Sequence, residues 1–263
     1  MKIKITLTIL LLAGMAVIYS ACKKSDTTAS NGPALNESDV SSAVALDIAQ
    51  SLFGGYGGLN FAGGLNTAGG FAVKQHTQGR LLHDLSNPLC GLTVDTTLSA
   101  TVTGGKDTTA SVSGHINFSF ICTNDVLSGF TTNDDLSISI STPALSLAAK
   151  INEQLSMNAI DPTDDNSDLI LKGTLNSSGV YNYKTGTKKS GTRTFNYVLT
   201  SLVLDPNGDG DIVSGSATFT TKGTGTLGTW NFIGSIKFLG DHKATITINK
   251  KSYTVDLRTG AIV

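Results

Sequence analysis

From about residue 92 onward, hydrophobic and polar residues alternate along the chain. Phe118, Phe120 and Cys122 share one phase, for example, and Asn117 and Ser119 share the other. Successive side chains of a β-strand point to opposite faces, so this period of two predicts strands with one buried face and one face in solvent. Short segments rich in Gly, Asn, Asp and Ser separate the alternating stretches and predict hairpin turns.

Hairpins in series predict a mainly β protein built as an antiparallel meander. A sheet of so many strands twists, so we expect it to curl into a barrel-like domain or to fold into a sandwich. The alternation changes phase between Leu199 and Leu202, which predicts a bulge near Thr200. Turn-forming residues are also dense at 123–134 and 177–179, and both segments are predicted turns.

Earlier in the chain, residues 36–53 show the spacing of an α-helix instead of a period of two. Val40, Val44, Ile48 and Leu52 recur at every fourth position, which places them on one face of an α-helix. Asn36 or Ser38 is suited to cap the N-terminus of this helix. We expect the helix to pack its apolar face on the sheet.

Composition supports β structure with many turns and argues against a nucleic-acid-binding protein. The 263 residues include 29 glycines, and 19 Lys and Arg residues nearly balance 20 Asp and Glu residues, for a net charge of -1. A chain without a basic surplus has no electrostatic footprint for nucleic acid, so we expect no nucleic-acid partner.

The first two dozen residues follow a different pattern. A basic start precedes an apolar run at residues 5–18. The small residues Ser20 and Ala21 follow, and Cys22 comes directly after them. A basic start, a short apolar core and small residues at the end are typical of a secretory signal peptide. With its cysteine directly after the small residues, this segment resembles the signal peptide of a bacterial outer-membrane lipoprotein. It departs from the usual motif at Tyr19, where such peptides carry Leu.

The resemblance implies that residues 1–21 are removed and that Cys22 is acylated and anchors the protein in a membrane. Lys23 follows the cysteine in place of the Asp that marks inner-membrane retention in such lipoproteins. The resemblance therefore implies a lipid-anchored protein of the outer membrane, and it leaves open whether the protein faces the periplasm or the cell surface.

The remaining chain divides into three predicted parts. Residues 22–35 are polar and predict a flexible tether. Residues 36–91 hold the helix and a glycine-rich segment, and residues 92–263 form the antiparallel β domain. The glycine-rich segment lacks the Lys-Ser/Thr ending of a phosphate-binding loop. Titratable residues cluster after it, at His76, Arg80 and His83-Asp84.

Cys90 and Cys122 are the two cysteines that remain after Cys22. An even pair in an oxidising compartment predicts a disulfide bond. This bond would tie the segment before the sheet to the end of a strand.

Alternating acidic and amide residues form a candidate calcium loop. Oxygen-bearing side chains lie at Asp205, Asn207, Asp209 and Asp211, which resembles the first half of an EF-hand loop. The twelfth position is Ser216, where an EF-hand places a bidentate Glu. The hypothesis is therefore weak calcium binding, and the alternative is an ordinary hairpin turn.

No metalloprotease H-E-x-x-H or hydrolase G-x-S-x-G motif occurs in the chain. We therefore expect a non-enzymatic envelope protein whose β domain is a structural or interaction module with a protein or glycan partner. The alternative is a carrier that holds an apolar ligand or lipid in a β cavity, and a glycan-acting hydrolase is a more distant one. The cavity of a carrier would be lined by Phe118, Phe120, Tyr181, Tyr183, Phe195, Tyr197, Trp230 and Phe232.

Overall fold

A computed structural model describes residues 35–52, 89–104, 107–164, 166–186, 189–206, 211–226 and 228–263. These residues form one α-helix, α1 (Glu37–Leu52), and ten β-strands. The strands are β1 (Thr93–Thr103), β2 (Thr109–Thr123), β3 (Val126–Ser141), β4 (Leu145–Ala159), β5 (Leu169–Tyr183), β6 (Ser190–Leu204), β7 (Ile212–Gly225), β8 (Gly228–Gly240), β9 (Lys243–Ile248) and β10 (Lys251–Asp256).

The ten strands form one antiparallel sheet in chain order, from β1 at one edge to β10 at the other. Each strand pairs with the strands that are its neighbours along the chain, so the predicted meander is confirmed. The two edge strands do not pair with each other, and the sheet is therefore open rather than a closed barrel.

The two faces of the sheet differ as the alternation predicts. One face, called the inner face below, carries the buried core, in which side chains from β2 to β10 join those of α1. Phe130, Tyr197 and Phe219 are among its largest fully buried side chains. The opposite, outer face carries mostly polar side chains, with isolated exposed apolar ones such as Val180, Val198 and Ile233. Burial of the inner face supplies the main favourable free energy of folding.

Helix α1 lies on the inner face of the sheet, as predicted. The Asn36 side chain caps its N-terminus by accepting a hydrogen bond of 2.9 Å from the Asp39 N–H. Val44 and Ile48 are fully buried in the core shared with the sheet. Among the described residues, no helix has the length and apolarity needed to cross a bilayer.

Backbone contacts fix both the start and the middle of α1. The Leu35 N–H donates to the Thr229 carbonyl of β8 at 3.1 Å. Gly260, in the C-terminal segment, approaches the helix so closely that a Cβ there would lie 2.6 Å from Cγ of Leu46. Its φ of +69° also lies in the left-handed region, so this position requires glycine.

Two predicted turns are wrong, and the predicted bulge is confirmed. The turn expected at 123–134 is confined to Asn124 and Asp125, and β3 starts at Val126. The segment 177–179 lies inside β5. Pairing with strands on both sides overrides the turn preference of these residues. The register between β6 and β7 shifts after Leu199, at the predicted bulge.

The predicted disulfide bond is confirmed. Cys90 and Cys122 are joined, with an S–S distance of 2.01 Å and a Cα–Cα distance of 5.4 Å. Cys90 lies in the turn before β1, and Cys122 lies near the end of β2. The neighbouring Leu89 is buried in the core. The bond therefore holds the entry to the sheet against its second strand.

Removing this bond should destabilise the protein. The bond closes a loop between residues 32 positions apart. On the chain-entropy model, the double variant Cys90→Ser/Cys122→Ser should lose about 3 to 4 kcal/mol of unfolding free energy. Urea denaturation followed by circular dichroism measures this loss. The variant and the parent treated with reductant should unfold at the same midpoint, and a variant as stable as the oxidised parent would contradict the prediction.

Candidate functional site: the outer face of the sheet

Several predicted site residues lie outside the described residues. They are Cys22, Asn207, Asp209 and the titratable residues at 76–84. Lipidation of Cys22 therefore stays a prediction.

The two described residues of the candidate calcium loop flank the connection between β6 and β7. The Asp205 N–H donates to the Asp211 carbonyl at 3.2 Å, as in a hairpin. The Asp211 carboxylate accepts a hydrogen bond of 3.1 Å from the His242 N–H, and Nδ1 of His242 lies 3.4 Å from it. Part of the coordinating capacity of Asp211 is thus already used, and calcium binding stays a prediction.

The eight aromatic residues named for a carrier cavity fall into two groups. Four of them are buried in the core that the sheet shares with α1: Phe118, Phe120, Phe195 and Tyr197. The other four are half-buried: Tyr181, Tyr183, Trp230 and Phe232. The first group packs ring against ring, with centroids 4.8 Å apart for Phe118 and Phe120 and 6.2 Å apart for Phe195 and Tyr197, so these side chains belong to the core.

Trp230 is held in place by a glycine on the neighbouring strand. It pairs with Gly223 of β7, and a Cβ on that glycine would lie 2.0 Å from the indole ring. The indole Nε1–H donates to Thr221 Oγ1 at 2.9 Å. The ring therefore lies flat over β7.

The outer face carries rows of short polar side chains that run across the strands. Antiparallel register places side chains on neighbouring strands directly opposite one another, about 5 Å apart. One row crosses eight strands from β1 to β8: Ser99, Ser113, Ser137, Lys150, Ser178, Thr194, Lys222 and Asn231. The next row is almost entirely hydroxyl-bearing or small: Thr101, Ser111, Ser139, Ala148, Val180, Thr192, Thr224 and Thr229.

These two rows coincide with a depression in the surface, which we call the outer groove. One part of about 470 Å³ crosses β2 to β6, and a second part of about 600 Å³ crosses β6 to β8. The two parts meet at Thr192 and Thr194, which line both. Short side chains lower the surface here. The outer groove is therefore lined mainly by small and hydroxyl-bearing residues, whose methyl and methylene groups form much of its surface, and Lys150 and Lys222 lie among them.

Amide side chains border the outer groove. Asn152, Asn176 and Asn196 lie opposite one another on β4, β5 and β6. Asn196 Nδ2 donates to Thr220 Oγ1 on β7 at 3.0 Å. Amide groups both donate and accept hydrogen bonds, so this border extends the capacity of the groove for polar recognition.

The inner face holds an acidic pair that the sequence analysis missed. Asp134 and Glu153 lie opposite each other on β3 and β4, and they are 8% and 3% exposed. Asp134 accepts hydrogen bonds from the Asn117 N–H at 3.1 Å and from the Thr132 hydroxyl. The carboxyl of Glu153 has no such partner among the described residues. Each acid lies in the mainly apolar phase of its strand, between Phe130 and Leu136 on β3 and between Ile151 and Leu155 on β4, and the sequence alone shows this pattern.

Burial governs the titration of this pair. Burial, and to a smaller extent the adjacent charge of Asp134, together raise the pKa of Glu153 to about 8. Burial also raises the pKa of Asp134 above its usual range, while its hydrogen bonds oppose this. Glu153 is therefore largely protonated at neutral pH.

A third buried acid joins the helix to the sheet. The Ser177 hydroxyl donates to Asp47 Oδ2 at 3.0 Å, and the Tyr197 hydroxyl lies 3.2 Å from both Asp47 Oδ2 and the Val44 carbonyl. Burial raises the pKa of Asp47 above its usual range, and the positive charge of Arg193 opposes the rise. These contacts are structural, because they connect α1 with β5 and β6.

Within the described residues, no group of three or more His, Cys, Asp or Glu side chains is arranged to hold a metal ion. Comparison with protein-family models, curated proteins and solved structures finds no match to this chain.

The Glu153→Gln substitution should remove a pH dependence of stability. The folded-state pKa of about 8 exceeds the ordinary glutamate value of 4.5, so the folded state binds more protons than the unfolded state between these pH values. Stability that is present below pH 4.5 is thus lost as pH rises towards 8, by at most about 1.4 kcal/mol per pH unit. Urea denaturation from pH 5 to 9 should show this loss in the parent and a smaller one in the variant.

The matched control for this experiment is Glu37→Gln, which changes the other glutamate of the chain. Hydrogen bonds from the backbone and from Asn249 lower the pKa of Glu37. Its contribution to stability therefore changes with pH in the opposite direction to that of Glu153. The control should keep the parent's decline. Equal pH profiles for the parent and Glu153→Gln would contradict the assignment.

Proposed function

We propose that this chain is a non-enzymatic, lipid-anchored envelope protein whose β domain is an interaction module. The observation that carries the proposal is the outer groove, a long depression that crosses seven strands from β2 to β8 and is rich in hydroxyl-bearing side chains. Helix α1 packs on the inner face, and the outer groove is left for a partner. The anchor is inferred from residues 1–26, whose pattern resembles a lipoprotein signal peptide.

The chemistry of the outer groove favours a glycan as partner. Hydroxyl and amide groups exchange hydrogen bonds with sugar hydroxyls, and the many donors and acceptors suit an extended polar polymer. Lys150 and Lys222 add positive charge without an acidic residue in the same row, which favours a glycan with some anionic groups. A carrier of apolar ligands is the second candidate; it would use the half-buried Tyr181, Tyr183, Trp230 and Phe232.

Filling the outer groove should weaken binding strongly. An array of bacterial envelope glycans identifies a ligand, and Ser178→Tyr then places a large side chain in the groove on β5. We expect at least a tenfold weaker affinity for this variant. Thr218→Tyr is the matched control, because it adds the same ring to an exposed outer-face position of β7 outside the groove. Its affinity should match that of the parent.

Two results would contradict the interaction proposal. One is the absence of any bound glycan on the array, and the other is equal loss of binding in Ser178→Tyr and Thr218→Tyr. Native mass spectrometry of the purified protein tests the carrier alternative, since a carrier retains a lipid of defined mass.

The anchor has its own test. Mass spectrometry of the mature protein should find an N-terminus at Cys22 that carries acyl chains, and the protein should fractionate with membranes. Cys22→Ser removes the thiol that is acylated, so this variant should move to the soluble fraction. An unmodified N-terminus at another residue would contradict the proposal.

A further inference from the structure

The two edges of the sheet are built differently. The β10 edge is six residues long and carries Lys251. The C-terminal residues cover it: Ile262 bridges to Val255, and the Val263 N–H donates to the Thr254 carbonyl at 3.0 Å. The β1 edge has no strand against its free side among the described residues.

Within the part of the chain that the structure describes, strand β1 lacks the usual protection of an edge. Exposed edges pair with other chains unless they are short, bulged, covered, or interrupted by Pro or Lys. β1 has eleven residues, contains neither Pro nor Lys, and pairs with β2 without a register shift. Its one charged residue, Asp95, is bonded to His115 and Asn117 of β2, on the side away from the free edge.

The backbone groups at the free edge can be identified. The Phe120 N–H donates to the Leu92 carbonyl at 3.0 Å, and the Gly104 N–H donates to the Thr108 carbonyl at 2.9 Å. Hydrogen-bonded pairs alternate along an antiparallel ladder, so the even-numbered residues of β1 bond to β2. The N–H and C=O groups of the odd-numbered residues, from Thr93 to Thr103, therefore point away from the sheet.

We propose that the β1 edge binds β1 of a second copy of this chain, antiparallel and about a two-fold axis at Leu98. Leu98 is the centre of the eleven-residue strand, so this axis pairs every residue of β1. The odd-numbered residues of each copy then exchange hydrogen bonds, and two open sheets join into one continuous sheet.

The sequence of β1 is complementary to itself in this register. Val94 meets Val102 and Leu98 meets its own copy on the inner face, which covers three half-buried apolar side chains. On the outer face, Asp95 meets Thr101, so no like charges oppose each other. A two-fold axis makes both halves of such an interface identical.

Cysteine cross-linking tests the register. The test uses the full chain carrying Cys22→Ser. In this chain, Leu98→Cys places two thiols opposite each other across the axis, with Cα atoms about 4.5 Å apart. A disulfide bond can span this distance. Val102→Cys is the matched control, because its copy would lie about 27 Å away along the strand. Under mild oxidation, Leu98→Cys should give a covalent dimer and Val102→Cys should not. Equal cross-linking of both variants, or of neither, would overturn the proposal.

A second pair of variants tests the edge hydrogen bonds. Ser99→Pro removes an N–H that faces the free edge and leaves the bonds to β2 intact, whereas Ser99→Ala keeps that N–H. Light scattering at about 100 μM should give a twofold lower mass for Ser99→Pro than for the parent and Ser99→Ala, with circular dichroism checking that each is folded. A monomeric parent, or a dimeric and folded Ser99→Pro, would overturn the proposal.

Discussion

Every strand of this sheet has one apolar face, and the inner face has to be covered before the sheet is stable in water. A single sheet does not bury that face by itself, and most domains solve this with a second packed layer. Here α1 contributes to that layer, and the core joins its side chains to those of strands from β2 to β10. The position of Gly260 is a consequence, since the C-terminal segment has to pass close to the helix.

Polar contacts give this apolar packing a defined geometry. Hydrophobic burial is not directional, and by itself it would let the helix rotate or slide on the sheet. The bonds of Asp47 to Ser177 and Tyr197 specify one rotation and one position along α1. Asp134 and Glu153 lack a comparable link to the helix among the described residues, and their burial raises the pKa of both.

The outer face is under a different constraint, because its mostly polar side chains can remain in water without a covering layer. Its side chains are mostly uncharged, and the shortest ones lie in two adjacent rows where the surface is lowered into the outer groove. The edges are subject to a third constraint, because among the described residues no further strand of the sheet lies beside β1 or β10. The C-terminal residues cover one edge, and the other edge is long and regular. A partner surface on the outer face and a self-association surface at β1 can therefore coexist without overlap.

The sequence by itself determined the class of fold, the helix, the disulfide pair and the bulge after Leu199. Each depends on short-range information: a period of two or four, a count of cysteines, or a change of phase. The tertiary structure alone decided that residues 177–179 lie within a strand, that Asp134 opposes Glu153, and that four aromatic residues pack in the core while four do not. It also decided which edge of the sheet is covered. These features depend on register between residues that are far apart in the chain, and local periodicity carries no information about which strand lies opposite or where the sheet ends.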